Sequence, residues 1–215
     1  MHVNNRHMYH FHPEGCYDDV WKIGNSFTVD DKWESIFKKL TFNCSEIVQG
    51  RENDIYIARY IVDILKEDLK NLSHEDLIVT LRIAAKTIQN RSMALREIAL
   101  EEYRRKNCPE LPSRFSSIWV TNKAGIKFWE EMFTHDKYSG AKESRELLEL
   151  ELTGNLFKSS DEFLPQNGVS YKKCLEAAEM YWNPDFSKEH DRSKVEYLFQ
   201  GNVRVLKKIN RDSNN

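Results

Sequence analysis

Three-and-four spacing of apolar residues is gathered into one long block of this chain, with strand-like alternation before and after it, and that segregation constrains the fold more than any other feature. Over residues 52–69, Ile55, Ala58, Val62, Leu65 and Leu69 form one stripe of an amphipathic helix. Ser73, with Asp76 three residues on, resembles a capping box, and Leu77, Leu81, Ala84 and Ile88 form the next stripe. A third helical piece over 93–105 carries Leu95, Ile98, Ala99 and Tyr103 and stops before Cys108-Pro109.

Outside that block the pattern changes. Residues 8–12 alternate, with Tyr9 and Phe11 on one face and His10 and His12 on the other, and Pro13 ends the strand. Residues 20–27 are short and broken by Gly24, as a turn or 3₁₀ piece would be. Residues 116–121 have the β-branched and aromatic content of a strand, and Asn122 is placed to cap a helix over 124–133 with Phe128 and Met132 inside. Residues 146–153 alternate acid with Leu148, Leu150 and Leu152, which predicts a strand ending at Gly154. A short helix over 175–182 stops at Asn183-Pro184, two strand pieces flank Gly201-Asn202 over 195–209, and the tail 210–215 is expected to fray. Strands and helices do not alternate, so the expected class is α+β.

A chain of 215 residues with 40% hydrophobic and 31% charged positions is ordinary globular composition and enough for one domain over 1–215. Its formal net charge of −2 supplies no global field for nucleic acid or an acidic membrane. No apolar run approaches the ~20 residues that a bilayer requires, and residues 1–12 lack a signal-peptide layout, so a cytoplasmic location is expected. The four cysteines, Cys16, Cys44, Cys108 and Cys174, are scattered without a C-x-x-C pair and read as reduced thiols.

Two groups of residues invite chemistry. His10 and His12 place two imidazoles on one strand face, able to grip a ligand or, in a metal-dependent hydrolase, a metal ion; no third ligand is evident, no metal is expected, and a plain pair of surface histidines is the commoner outcome. Glu196 sits opposite in phase to Val195 and Tyr197; it is either an exposed charge or, facing a cleft with His10, a partner for developing positive charge. The G-x-S-x-G, H-E-x-x-H, Walker and Rossmann patterns are absent from the sequence.

Four segments in order resemble the ADP-ribosyltransferase superfamily, and within it the short bacterial enzymes that modify rifamycin. Met8-Tyr9-His10-Phe11-His12 followed by Lys22-Ile23-Gly24-Asn25 is similar to that family's opening strand and turn, with the family histidine at His10 and its threonine at His12. Ile118-Trp119-Val120-Thr121 and the helix after it resemble the second motif, with Trp119 where the family has tyrosine. Residues 150–154, then Leu156-Phe157 and Asp161, resemble a strand end and the acidic turn that carries the catalytic aspartate in the rifamycin enzymes; Ser159, Ser160 and Asp161 are the alternatives for it. Residues 196–209 resemble the last core strands, where many members keep a catalytic glutamate. Arg96-Glu97 running into Pro112-Ser113-Arg114 also resembles an uncharacterised bacterial family of such proteins.

The resemblance implies a split β-sheet core of ADP-ribosyltransferase type with a large helical insertion over 51–107. It implies NAD as substrate and cleavage of the nicotinamide–ribose bond through an oxocarbenium-like transition state. Glu196 would stabilise that cation, with Asp161 as second choice; His10 and His12 would orient the ribose, Trp119 or Tyr138 would stack on nicotinamide, and Arg114 or Arg6 would meet the pyrophosphate. The acceptor is open among protein, nucleic acid and small molecule, as in a bacterial toxin or defence effector, and the insertion would shape the acceptor site or bind an antitoxin or chaperone. A catalytically inert relative that binds a nucleotide or a partner on the same scaffold is the alternative, favoured by Trp119 replacing tyrosine.

Overall fold

The computed structural model describes residues 1–13, 19–43, 47–49, 54–56, 73–134, 145–166, 168–187 and 190–209. Among them are four α-helices, α1 (Ile36–Lys38), α2 (His74–Asn107), α3 (Ile126–Thr134) and α4 (Tyr171–Trp182), with a π turn over Lys39–Asn43 and short 3₁₀ turns between elements. The strands are β1 (His2–Pro13), β2 (Ser26–Val29), β3 (Ile47–Gln49), β4 (Asp54–Tyr56), β5 (Ile118–Val120), β6 (Arg145–Ser160) and β7 (Val195–Ile209). Five of them form an antiparallel sheet in the order β1-β6-β7-β2, with β5 also pairing β7, while β3 and β4 pair separately. Mixed helix and antiparallel sheet is the class that the sequence predicts.

The sheet is built on one long β6–β7 ribbon, and neither strand stops where its glycine suggested. β6 runs on through Gly154, and β7 is one strand rather than two pieces around Gly201. The glycines face each other in register instead of ending anything. Both have positive φ, 154° and 141°, and a Cβ on Gly154 would lie 2.4 Å from the Gln200 carbonyl oxygen. Only residues without a side chain fit there. On β1 the register shifts between Val3 and Arg6, next to the same row, where Asn5 has φ 50° and donates its backbone N–H to Thr153 Oγ1 at 3.1 Å.

That row is a crease. Tyr9 lies opposite Glu149 in β6 and also bridges Thr121, whose neighbour Val120 pairs Tyr197, itself opposite Lys158 of β6. Four lateral steps of about 5 Å and one residue step of ~3.8 Å span about 24 Å. A straight strand from Glu149 to Lys158 would need about 30 Å at ~3.3 Å per residue. The ribbon is therefore bent, and its two halves face each other.

Alternation sorts the side chains onto two faces. The inner face carries Met8, Leu148, Leu150, Leu152, Leu156, Ile118, Val120, Tyr197, Phe199, Val203 and Val205, packed with Trp21. The outer face carries Phe157 and Leu198 under α2 and α4, where Leu100, Ala178, Tyr181 and Trp182 complete a second core. Trp182 Nε1 donates to the Leu100 carbonyl at 2.8 Å and ties the two helices together. Cys108 and Cys174 are free and buried.

The helical block departs from the expectation in three ways. The capping box at Ser73 and Asp76 is present, but it opens a single 34-residue helix rather than the first of two. The stripe of Leu77, Leu81 and Ile88 points outward, with Leu81 60% and Ile88 69% exposed, and α2 buries Ala94, Glu97, Ala99, Leu100 and Glu101 instead. Within 52–69, residues 54–56 are strand β4, and the rest of that expected helix lies outside the described residues, as does the tail 210–215. Met132, expected inside α3, is half exposed. Among the described residues no helix is long and apolar enough to cross a membrane.

Candidate functional site

The deepest polar feature is an ion network on the outer face. Arg114 follows Pro112-Ser113 and is only 1% exposed, because helices α2 and α4 close over it. Its Nε donates to Glu97 Oε2 at 2.6 Å and Nη2 to Glu97 Oε1 at 3.1 Å, the two-pronged geometry that guanidinium and carboxylate share. Its Nη1 donates to Glu196 Oε1 at 2.7 Å and to the Tyr181 hydroxyl, which itself donates to Glu196 Oε1. Three rings surround the cation, with centroids 4.8 Å (Tyr181), 5.1 Å (Trp119) and 5.2 Å (Phe37) from the guanidinium carbon. Burial works against the charge on Arg114, but Glu97, Tyr181 and Glu196 hold its pKa well above the ordinary value; burial raises the Tyr181 phenol.

Glu196 is 4% exposed and lies opposite Ser159, whose hydroxyl donates to the Tyr181 carbonyl at 2.8 Å. Asp161, just past the end of β6, is partly exposed and close by: burial raises its pKa and the Glu196 charge adds to the rise. A second cluster anchors the same loop, where Ser113 Oγ donates to Glu101 Oε2 at 2.8 Å and Arg104 donates to Glu101 and to the Pro109 and Leu111 carbonyls. Burial would raise Glu101, yet Arg104 and Ser113 hold it below its usual value.

The inner face carries the other candidates. His10 lies opposite Leu148 and stacks on Trp21 with centroids 4.4 Å apart and planes 13° apart; His12 stacks on the same indole at 5.0 Å. His10 Nδ1 is 2.8 Å from the Trp119 carbonyl oxygen. A carbonyl only accepts, so Nδ1 carries the proton and Nε2 is left as an acceptor. Burial lowers the His10 pKa to about 4, the bond to Trp119 acts against that, and His12 and Arg145 add to the lowering. His10 is a neutral, oriented acceptor at neutral pH.

The expected site thus divides. The structure brings together Glu196, Arg114, Trp119 and Asp161 on the outer face, and His10 with His12 on the inner face. His10 and Glu196 do not share a face, because Glu196 falls in phase with Leu198 whereas His10 falls in phase with Leu148. Arg114, expected to meet a pyrophosphate, is engaged with two carboxylates; Arg6 is an exposed strand residue opposite Leu152, and Tyr138 lies outside the described residues. Among the described residues no group of three or more His, Cys, Asp or Glu side chains is placed to hold a metal ion.

Tyr181 and Trp21 were not singled out from sequence, and Glu97 entered only within the Arg96-Glu97 segment, with no role of its own. The signal for Glu97 was an acid on the same helix face as Ala94 and Leu100; Trp21 meets His10, His12, Phe27 and Trp33, all within twelve residues, so the density of rings over 10–33 was its signal, whereas Tyr181 meets Arg114 and Glu196, which lie outside its own helix, and no local pattern marks it.

An antiparallel sheet creased along a glycine row and closed on its outer face by two helices over a buried arginine defines a mixed α+β protein with a polar core. The DUF2441 family model, described as a protein of unknown function, matches residues 8–211, and the chain belongs to that family. No curated protein matches it.

Proposed function

We propose that this chain binds a nucleotide, NAD first among candidates, through His10 on the inner face of an ADP-ribosyltransferase-type sheet, and that Glu196 does not serve as a catalytic acid there. The observation that carries the reading is the His10 tautomer: with Nδ1 committed to the Trp119 carbonyl, Nε2 is a fixed acceptor suited to a ribose hydroxyl, and Trp21 backs the ring. A carboxylate that stabilises an oxocarbenium ion must reach the sugar. Glu196 is buried, bonded to Arg114 and Tyr181, and on the other face. These facts favour the inert, nucleotide-binding relative over the transferase.

A second reading keeps NAD-dependent ADP-ribosyl transfer and gives the acid role to Asp161. It is favoured by one observation: Asp161 is partly exposed at the end of β6 where Glu196 is not. Cytoplasmic location and a toxin-like role with an antitoxin or chaperone partner belong with that reading.

Calorimetric titration of NAD into the full chain and into His10→Gln tests the first reading. Saturable binding to the wild type, weakened about tenfold or more in the variant, which is a loss of ~1.4 kcal/mol, is the expected result. Equal binding by both, or none by the wild type, contradicts it. Nicotinamide release lost in Asp161→Asn but kept in Glu196→Gln would establish the second reading.

A further inference from the structure

Among the described residues, two polar groups of the inner-face ring stack have no hydrogen-bond partner. Trp21 is 7% exposed, and its indole N–H donates to no acceptor there, whereas the indoles of Trp129 and Trp182 donate to the Val195 and Leu100 carbonyls. His10 Nε2, left as an acceptor by the bond from Nδ1 to the Trp119 carbonyl, meets no donor. The two groups belong to one stack, since the His10 and Trp21 rings lie 4.4 Å apart with planes 13° apart. Buried polar groups are bonded as a rule, so a donor and an acceptor left open side by side mark a place where a bonding partner belongs.

Trp21 is held by its turn and by its neighbours. It ends a 3₁₀ turn, Asp19–Trp21, whose Asp19 carbonyl accepts from the Lys22 backbone N–H at 3.3 Å and from Asn25 Nδ2 at 2.7 Å. Gly24 N–H donates to the Val205 carbonyl at 2.8 Å and the Asn25 carbonyl accepts from Val205 N–H at 2.9 Å, which ties the turn to β7. Phe27 and Trp33 meet the indole edge-on, with centroids 4.8 and 6.2 Å away, and His12 stacks on it as well. Such support preorganises a binding group at no further cost in ordering. A hydrogen bond to a ring nitrogen runs in the plane of the ring, so the donor and the acceptor leave this stack at its rim in nearly parallel planes. Two hydroxyls on neighbouring carbons of a ribose answer that pair: one donates to His10 Nε2 while the other accepts from Trp21 Nε1. A deoxyribose lacks one of the two.

We propose that Trp21 and His10 together read the vicinal diol of a ribose, with Trp21 the residue that selects ribonucleotides over their deoxy forms. The inference rests on the nucleotide reading at His10 and adds to it Trp21 and the second hydroxyl. Calorimetric titration of the full chain with NAD, and with the four NAD analogues that each lack one ribose 2′- or 3′-hydroxyl, tests it without any substitution. Two analogues, both altered on the same ribose, bind about tenfold more weakly than NAD, and the other two bind as NAD does. Trp21→Phe keeps a ring against His10 and removes the N–H; its affinity for NAD falls about tenfold, and it no longer distinguishes one of those two analogues from NAD. Equal binding of NAD and all four analogues overturns the proposal, as does a loss with two analogues altered on different riboses. A loss with only one analogue overturns it too, and leaves a single hydroxyl on His10 with the nucleotide reading intact. A folded Trp21→Phe that binds all five ligands as the wild type does makes Trp21 a packing residue and overturns it. Where Trp21→Phe does not fold, the analogue series decides alone. No NAD binding by the wild type removes this inference and the nucleotide reading together.

Discussion

At the scale of single residues, the buried arginine and the neutral histidine make opposite demands on solvent and pH. Arg114 is the only cation bonded to both Glu97 and Glu196 among the described residues, so Arg114→Met leaves Glu97 with Arg96 alone, at 3.2 Å, and takes from Glu196 the cation that it is bonded to. Such a loss costs about 3–5 kcal/mol, and urea denaturation should show it. Glu196→Gln keeps the Glu97–Arg114 pair and a hydrogen-bonding side chain, so its cost should be smaller, about 1–2 kcal/mol. Equal losses would mean that the network is not centred on Arg114. For His10 the folded pKa is depressed, from 6.5 to about 4, so the unfolded chain binds the extra proton between those values. Its contribution is fully present above pH 6.5 and is lost as pH falls toward 4, with a ceiling of about 3 kcal/mol. Stability measured across that window should slope upward with pH, and His10→Gln should flatten the slope.

At the scale of elements, the crease decides the shape of the sheet. Gly154→Ala or Gly201→Ala would put a methyl group within about 2.5 Å of a facing carbonyl oxygen at a backbone angle side chains avoid. Each should cost about 2 kcal/mol or more, and chemical denaturation of the two variants checks it. The same glycines show why part of the fold was legible and part was not. Strand-type alternation over 146–153 and 195–199, the capping box at Ser73 and the cap at Asn122 are local signals and were read directly from sequence. A glycine within a strand reads as a stop, because only the facing glycine on another strand, 47 residues away in register, makes it a crease. Likewise the three-and-four stripe of α2 identified a helix but not its buried face, which is set by Arg114 drawing Glu97 inward. Glu196 was legible as an unusual acid in an apolar strand; that it serves the helices, not His10, follows only from register.

At the scale of the whole molecule, the account rests on two faces with different tasks: an outer face that locks α2 and α4 to the sheet through buried ions, and an inner face that offers an oriented acceptor at His10. Transfer chemistry on Glu196 would require one group to do both tasks, with its carboxylate already bonded to Arg114 and Tyr181. The direct test is nicotinamide release from labelled NAD by the full chain, with and without a cell extract as acceptor source, beside a folded Glu196→Gln variant. The account predicts NAD binding with no release that depends on Glu196. Release by the wild type that disappears in a variant of unchanged fold and unchanged NAD affinity would contradict it.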